Sequence, residues 1–226
     1  MSAILIAAVY FRFGRFWSLR NIDLALLLAS APGLLLVDQP EYRGFGFVLL
    51  FVVTGLFLLR LLLDPVMQRR PVLGQNLNPA GLGFLAIAAF VLLVSAALQR
   101  ELPVSTANAI AEGQRILEGE KTPGESVRLD HGPTAPVVMA GASMLFKEYT
   151  PRGIAILAHV AVALGLLFAG RNLFSQFQLG LAMATLYLLH PATAFDVGAA
   201  THVLPAAFIV WAFVAFQRPL ISGLLL

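Results

Sequence analysis

Of the 226 residues, 59% are hydrophobic and only 12% are charged, and the mean hydropathy is +0.84. A soluble domain carries about a quarter charged residues, and a chain this poor in charge would expose apolar patches large enough to aggregate, so a water-soluble fold is set aside. The absence of cysteine removes disulfides, thiolate chemistry and cysteine-ligated metals. The net charge of +3 comes from cations scattered at the ends of apolar runs, which points to a lipid bilayer and not to nucleic acid.

The first 21 residues do not read as a span. Ala3–Tyr10 is apolar but lacks the preceding basic stretch of a secretory signal; Arg12, Arg15 and Arg20 follow it instead. Phe11, Phe13, Phe16 and Trp17 interleave with those cations, a mixture suited to the headgroup layer. The segment is therefore expected to be an interfacial helix, preceded at most by a partial span.

Spans are expected at Ile22–Val37, Phe45–Leu63, Ala80–Leu98, Ile154–Ala169, Phe177–Leu189 and Val203–Phe216. Most of these blocks come near the length that crosses about 30 Å of hydrocarbon at about 1.5 Å per residue. Leu220–Leu226 reads as a further helix just begun, and Gly180 and Ala182 suit close packing within the fifth span. The expected fold class is all-α, a polytopic transmembrane helical bundle of about six spans. Three lie in 22–98 and three in 154–226, separated by one long non-cytoplasmic loop, 99–153, containing short amphipathic helices.

Orientation follows from the short connections. Asp64–Asn78 carries Arg69 and Arg70, the turn Gly170–Ser175 carries Arg171, and Arg218 follows the last span. With every span counted, these cations share one face with Arg12, Arg15 and Arg20, and that face is cytoplasmic. The opposite face then holds the 99–153 loop and the turn His190–His202. That loop carries seven of the twelve acids and has the composition of a soluble segment. Ser105 is placed to cap a helix whose apolar positions Ala109, Ile110, Ile116 and Leu117 recur at helical spacing. Gly119, Pro123 and Gly124 stop it, and Ala135–Phe146 reads as a second amphipathic stretch.

Three polar clusters fall on the non-cytoplasmic side. Glu101 emerges from the third span beside Arg100, with Ser105, Thr106 and Asn108 close behind; Asp130-His131-Gly132-Pro133 forms a polar turn near Arg128; His190, Asp196 and His202 share a later turn. Each has a plainer reading. A carboxylate just outside a span is ordinarily a solvated end-group, and Asp130 with His131 suits a turn cap. Two histidines and an aspartate in a short apolar turn make only a weak ligand set, and no metal site is assigned. His159, inside a span, is expected to be a neutral histidine bonded to a neighbouring helix rather than a functional intramembrane group. No G-x-S-x-G, H-E-x-x-H or phosphate-cradling glycine loop occurs.

Ser105-Thr106-Ala107-Asn108, running on to Ile116-Leu117-Glu118-Gly119-Glu120, resembles the first outer loop of polytopic GT-C-type glycosyltransferases. Those enzymes have a short helix there that ends in a "leucine, any residue, glycine" turn. Asp130–Pro136 resembles the Gly/Pro-rich "tyrosine-proline-proline" element that follows. Leu186–Pro191, Gly198, His202–Pro205 and Arg218-Pro219 with Gly223 are similar to a later hairpin of the same family. The likeness covers about Ala80–Leu226. It implies transfer of a sugar from a polyprenyl-phosphate donor at the outer face of a cell membrane, a bacterial inner membrane in kind. It also implies that an acid of the first outer loop serves as base or metal contact. The position nearest the family's acid reads Ser105-Thr106-Ala107, so Glu101 or Glu112 would substitute, with Asp130 a third candidate; Glu101 leads because it emerges directly from a span. Arg100, Arg128, His131 and His202 are the candidate substrate contacts. The chain stops at Leu226 where the family continues through more spans, which implies a fragment or a truncated relative.

Two other readings stand beside this one. A non-catalytic scaffold or accessory subunit would bind a membrane-protein partner through the outer loop. A transporter would place polar or broken-helix sites at the bilayer midplane, where these spans offer little beyond His159. All three depend on the same topology, with 99–153 outside. A cysteine placed at Ser126 should react with an impermeant thiol reagent in intact cells; labelling that requires lysis would reverse the orientation.

Overall fold

The computed structural model describes residues 2–37, 39–66, 74–102, 104–119, 136–138, 140–141, 150–195 and 197–226. Its regular elements are α1 (Ser2–Tyr10), α2 (Leu19–Val37), α3 (Arg43–Leu62) and a 3-10 turn (Asp64–Val66), then α4 (Pro79–Gln99) and α5 (Val104–Glu118). After the loop come α6 (Thr150–Phe174), α7 (Phe177–Leu189), α8 (Pro191–Phe195), α9 (Ala200–Val214) and α10 (Pro219–Leu225). No strand occurs among the described residues. A helix satisfies its own peptide groups, which hydrocarbon cannot do for it.

Among the described residues, four helices are long and apolar enough to cross a membrane: Leu19–Val37, Arg43–Val66, Pro79–Gln99 and Pro151–Phe174. The chain is a membrane protein on that ground. The other two expected spans are shorter. α7 has 13 residues and α9 has 15, about 20 and 22 Å of helix at about 1.5 Å per residue, less than the roughly 30 Å of a hydrocarbon core. Proline sets one limit. Pro191 drives His190 into extended geometry (φ −62°, ψ 133°), which ends α7.

The chain divides into two compact units, Met1–Ala89 with Gln176–Phe195, and Phe90–Ser175 with Asp196–Leu226. In the first, α1 is apolar on all sides, and Ile6, Val9 and Tyr10 are buried with Leu24 of α2, Leu82 of α4 and Leu186 of α7. The Tyr10 hydroxyl donates to the Ala182 carbonyl at 2.7 Å. The N-terminal segment, expected to be an interfacial helix preceded at most by a partial span, is helical over α1 and turns over residues 11–18. Its apolar half packs into the unit, while Phe13, Phe16 and Trp17 stay exposed, Phe13 and Phe16 in edge contact with Phe11 and Trp17 with Phe16.

Side chains close the end of α1. Its last carbonyls have no helical donor; Arg20 Nε donates to the Tyr10 carbonyl at 2.6 Å, and Asn76 Nδ2 to those of Ala8 and Phe11 at 2.9 Å. Asn21 does the same for the turn that follows, accepting from the Arg12 amide at 2.7 Å and donating to the carbonyl of Phe16 at 2.9 Å. Ser18 Oγ accepts from the Asn21 amide at 3.2 Å, an N-cap for α2.

Two devices hold α2 against α3. Near one end, a methyl added to Gly46 would lie 2.8 Å from the Val37 amide nitrogen and 3.0 Å from the Gly33 carbonyl, so only glycine allows this approach. Near the other, Arg60 pairs with Asp23 of α2 at 2.9 Å and with Asp64 one turn further on. A lone arginine on an apolar helix is costly, and two carboxylates offset it.

In the second unit, α6 and α9 meet at Gly165, where an added methyl would lie 2.6 Å from Val210 Cγ1. Trp211 Nε1 donates to the Ala161 carbonyl at 3.0 Å, and its ring lies 5.8 Å from that of Phe168. Ser222 Oγ ties α10 to α9 through the Ala212 carbonyl at 3.0 Å. His159 is fully buried and bonds the backbone of Val197, in the turn before α9.

Arg60→Met should cost about 2 kcal/mol, because it leaves Asp23 and Asp64 sharing a partly buried site with no cation. Asp64→Asn should cost less, since Asp23 still holds Arg60. Denaturation midpoints in one lipid–detergent mixture measure both, and equal losses would contradict the shared cation. Gly46→Leu should lower the midpoint further than Gly55→Leu, because nothing lies within 4 Å of a methyl at Gly55.

Candidate functional site

Helix α5 is the element on which the candidate site residues depend. Its apolar positions give it an inner face, and Thr106, Ile110 and Gly113 fall on that face at spacings of four and three. Thr106 is fully buried and its hydroxyl approaches the Gly198 carbonyl at 3.4 Å. Ile110 packs on Ile154 and Ala155 of α6 and on Ala200 of α9. At Gly113 a methyl would lie 2.7 Å from the Pro136 carbonyl oxygen and 3.0 Å from the Ala140 amide nitrogen, so Pro136 and Ala140 meet the helix backbone to backbone. Gly119, with φ +68°, takes the left-handed conformation that ends the helix.

These contacts refine the expected docking. Ile110 turns inward as anticipated, but Leu117 is 41% exposed. The helix opens at Val104, one residue before the expected cap Ser105. The side chains of Ser105, Ala109 and Ile116 lie outside the described residues. Close approach decides the buried face here: a glycine and a threonine sit where the neighbouring backbone comes nearest.

The structure places the described candidates unevenly. Arg100 and Glu101 follow the last residue of α4 and are both exposed. The Arg100 carbonyl accepts from Arg152 Nη2 at 3.3 Å, which ties the end of α4 to the first turn of α6. Glu112 lies on α5 with its side chain only 13% exposed, 3.9 Å from Arg115 Nη1. His202 is exposed in the first turn of α9. The elements that carry Arg100, Glu101, Glu112 and His202 all belong to the second unit. Asp130, Arg128, His131 and Asp196 lie outside the described residues. His190 belongs to the other unit, where burial pushes it below the ordinary histidine value and a hydrogen bond to the Leu27 backbone partly opposes that. No group of three potential ligands is placed to hold a metal among the described residues.

Arg152 was not picked out from the sequence. Its Nε is buried and has no hydrogen-bond partner among the described residues. A signal was available: a cation in the first turn of a helix opposes the macrodipole, so its position there calls for another reason. The unit thus offers an enclosed carboxylate, Glu112, an exposed one, Glu101, and guanidinium groups at positions 100, 115 and 152.

Docking of α5 can be tested through Ile110. Ile110→Asp would place a charge in an apolar contact and should cost about 2 kcal/mol or more, which raises the undocked population about 30-fold. Trypsin cleavage at Arg115 should accelerate accordingly, while Leu117→Asp should leave it near the wild-type rate. Equal acceleration by both would show that the inner face is misassigned.

No protein-family model, no curated protein and no solved structure matches the chain, so the chemistry of this site rests on the chain's own residues.

Proposed function

We propose that the chain is a GT-C-like membrane glycosyltransferase, or part of one, transferring a sugar from a polyprenyl-phosphate donor on the non-cytoplasmic side. In this reading it is a multi-pass protein of a cell membrane, of bacterial inner-membrane type, in which α7 and α9 complete about six spans. The observation that supports it is an ordered helix, α5, holding Glu112 with its side chain 13% exposed. A disordered loop could not hold a base in register with a membrane-bound donor.

The chemistry requires little else. The acceptor hydroxyl attacks the anomeric carbon, the bond from that carbon to the phosphate oxygen breaks, and the leaving polyprenyl phosphate keeps the electron pair. A carboxylate takes the hydroxyl proton as the new glycosidic bond forms. Glu112 is the stronger candidate for this base because it is enclosed; Glu101 is second, and Asp130 third. Arg100, at the end of a span, and Arg152, beside it, are placed to offset the phosphate charge. Arg128, His131 and His202 remain candidates for contacts to the sugar or acceptor.

One observation favours a second reading. Leu117 and Val137 expose apolar surface, 41% and 58% respectively, as a scaffold that binds a membrane-protein partner through this loop would.

Transfer from a polyprenyl-phosphate-linked sugar in membranes carrying each variant separates the two. Glu112→Gln keeps shape and removes basicity, so it should lower turnover about 100-fold while donor binding survives. Arg152→Gln should weaken donor binding instead. Unchanged transfer by both Glu112→Gln and Glu101→Gln would remove these carboxylates from catalysis. No transfer by the wild type, with partner association lost in Leu117→Ser or Val137→Ser, would support the scaffold.

A further inference from the structure

A cavity of about 390 Å³ runs along α9, away from Glu112 in chemistry and independent of any sugar transfer. Thr201, Leu204, Pro205, Phe208 and Ile209 line one side, with Val138 and the end of α10 completing it. The size falls within the roughly 300–1,000 Å³ of small-molecule sites. At about 30 Å³ per water-sized group it holds roughly a dozen such groups, which suits one aliphatic chain and not a whole two-chain lipid. From Thr201 to Ile209 the helix rises about 12 Å.

Among the described residues, no side chain lining this cavity is charged. A phosphate or carboxylate inside it would meet no cation, and burying an unpaired ion is costly. One polar point interrupts the apolar wall. Thr201 is 7% exposed, and its Oγ1 is buried with no hydrogen-bond partner among the described residues. Such a group ordinarily finds a partner. Pro205 adds a second feature, since it has no N–H to give the Thr201 carbonyl one turn before it. A hydroxyl that can donate and accept complements the pair: it can donate to Thr201 Oγ1 or to that carbonyl, and accept from Oγ1.

We propose that the cavity along α9 binds the aliphatic chain of a neutral membrane lipid whose hydroxyl hydrogen-bonds Thr201. This goes beyond the proposed transferase, because it requires neither a sugar, a phosphate nor Glu112. The ligand enters from the bilayer with its methyl end toward Ile209.

The probe is decanol carrying a photoreactive diazirine near its methyl end, added to the full chain in bilayer nanodiscs. Label should concentrate on 204–209 and 224–226. Excess decanol should suppress it at least tenfold, with decane and decanoate much less effective. Thr201→Val keeps shape and removes the hydroxyl, so it should weaken decanol competition about fivefold while the thermal midpoint holds or rises, the scale expected for one lost hydrogen bond. Ile209→Trp should fill the cavity and abolish the label. Label spread evenly over lipid-facing residues, or competition by decane equal to that by decanol, would mean adventitious partitioning only and overturn the site. Undiminished decanol competition in Thr201→Val would overturn the hydrogen bond that defines the ligand.

Discussion

Hydrocarbon forms no hydrogen bonds, and nearly every feature of this chain answers that constraint. A peptide group or a charge left bare in lipid costs several kcal/mol, so the described segments are helices, and the helix ends are the places that need help. At α1 the help comes from far along the chain: Arg20 and Asn76 donate to carbonyls at its C-terminal end. Inside the apolar helices the same rule acts on side chains. Ser30 Oγ turns back to the Leu27 carbonyl at 2.7 Å, His159 finds the backbone of Val197, and Arg60 gathers two aspartates.

The second determinant is close approach. Between lipid-embedded helices there is no hydrophobic drive of the kind water supplies, so contact area and backbone proximity decide packing. Gly46 against Gly33 and Val37, Gly165 against Val210, and Gly113 against Pro136 each occupy a place where one added methyl would meet an atom below 3.0 Å. Two of these contacts join helices within a unit, and the third seats α5. α5 and the longer helices are therefore held by the same means.

Within the second unit, an enclosed carboxylate and a partly buried arginine arise from that seating and not from any compact motif. Glu112 and Arg152 are 40 residues apart in the chain. They belong to one unit because Ile110 packs on the start of α6, where Arg152 also lies. The apolar cavity along α9 has a different origin. Pro205 prevents one backbone hydrogen bond, α10 returns beside α9, and Thr201 supplies the one hydroxyl of the apolar wall among the described residues.

What the sequence determined by itself was the solvent. Blocks of apolar residues with charges near their ends call for a bilayer, and the helices Leu19–Val37, Arg43–Val66, Pro79–Gln99 and Pro151–Phe174 fall where four of the six blocks lie. The helix stop at Gly119 was equally legible, because a left-handed turn needs a glycine. Other features were not. α1 is apolar on all sides, so no periodicity could tell an interfacial helix from one packed into the core. The Asp23–Arg60 pair spans 37 residues and carries no local signature. Helical spacing points Ala109, Ile110, Ile116 and Leu117 inward on α5; Ile110 does pack inward, yet the structure also buries Thr106 and Gly113 and leaves Leu117 exposed. Local pattern records which solvent a segment prefers. Which neighbour it meets depends on how closely two backbones approach, and only the tertiary structure decides that.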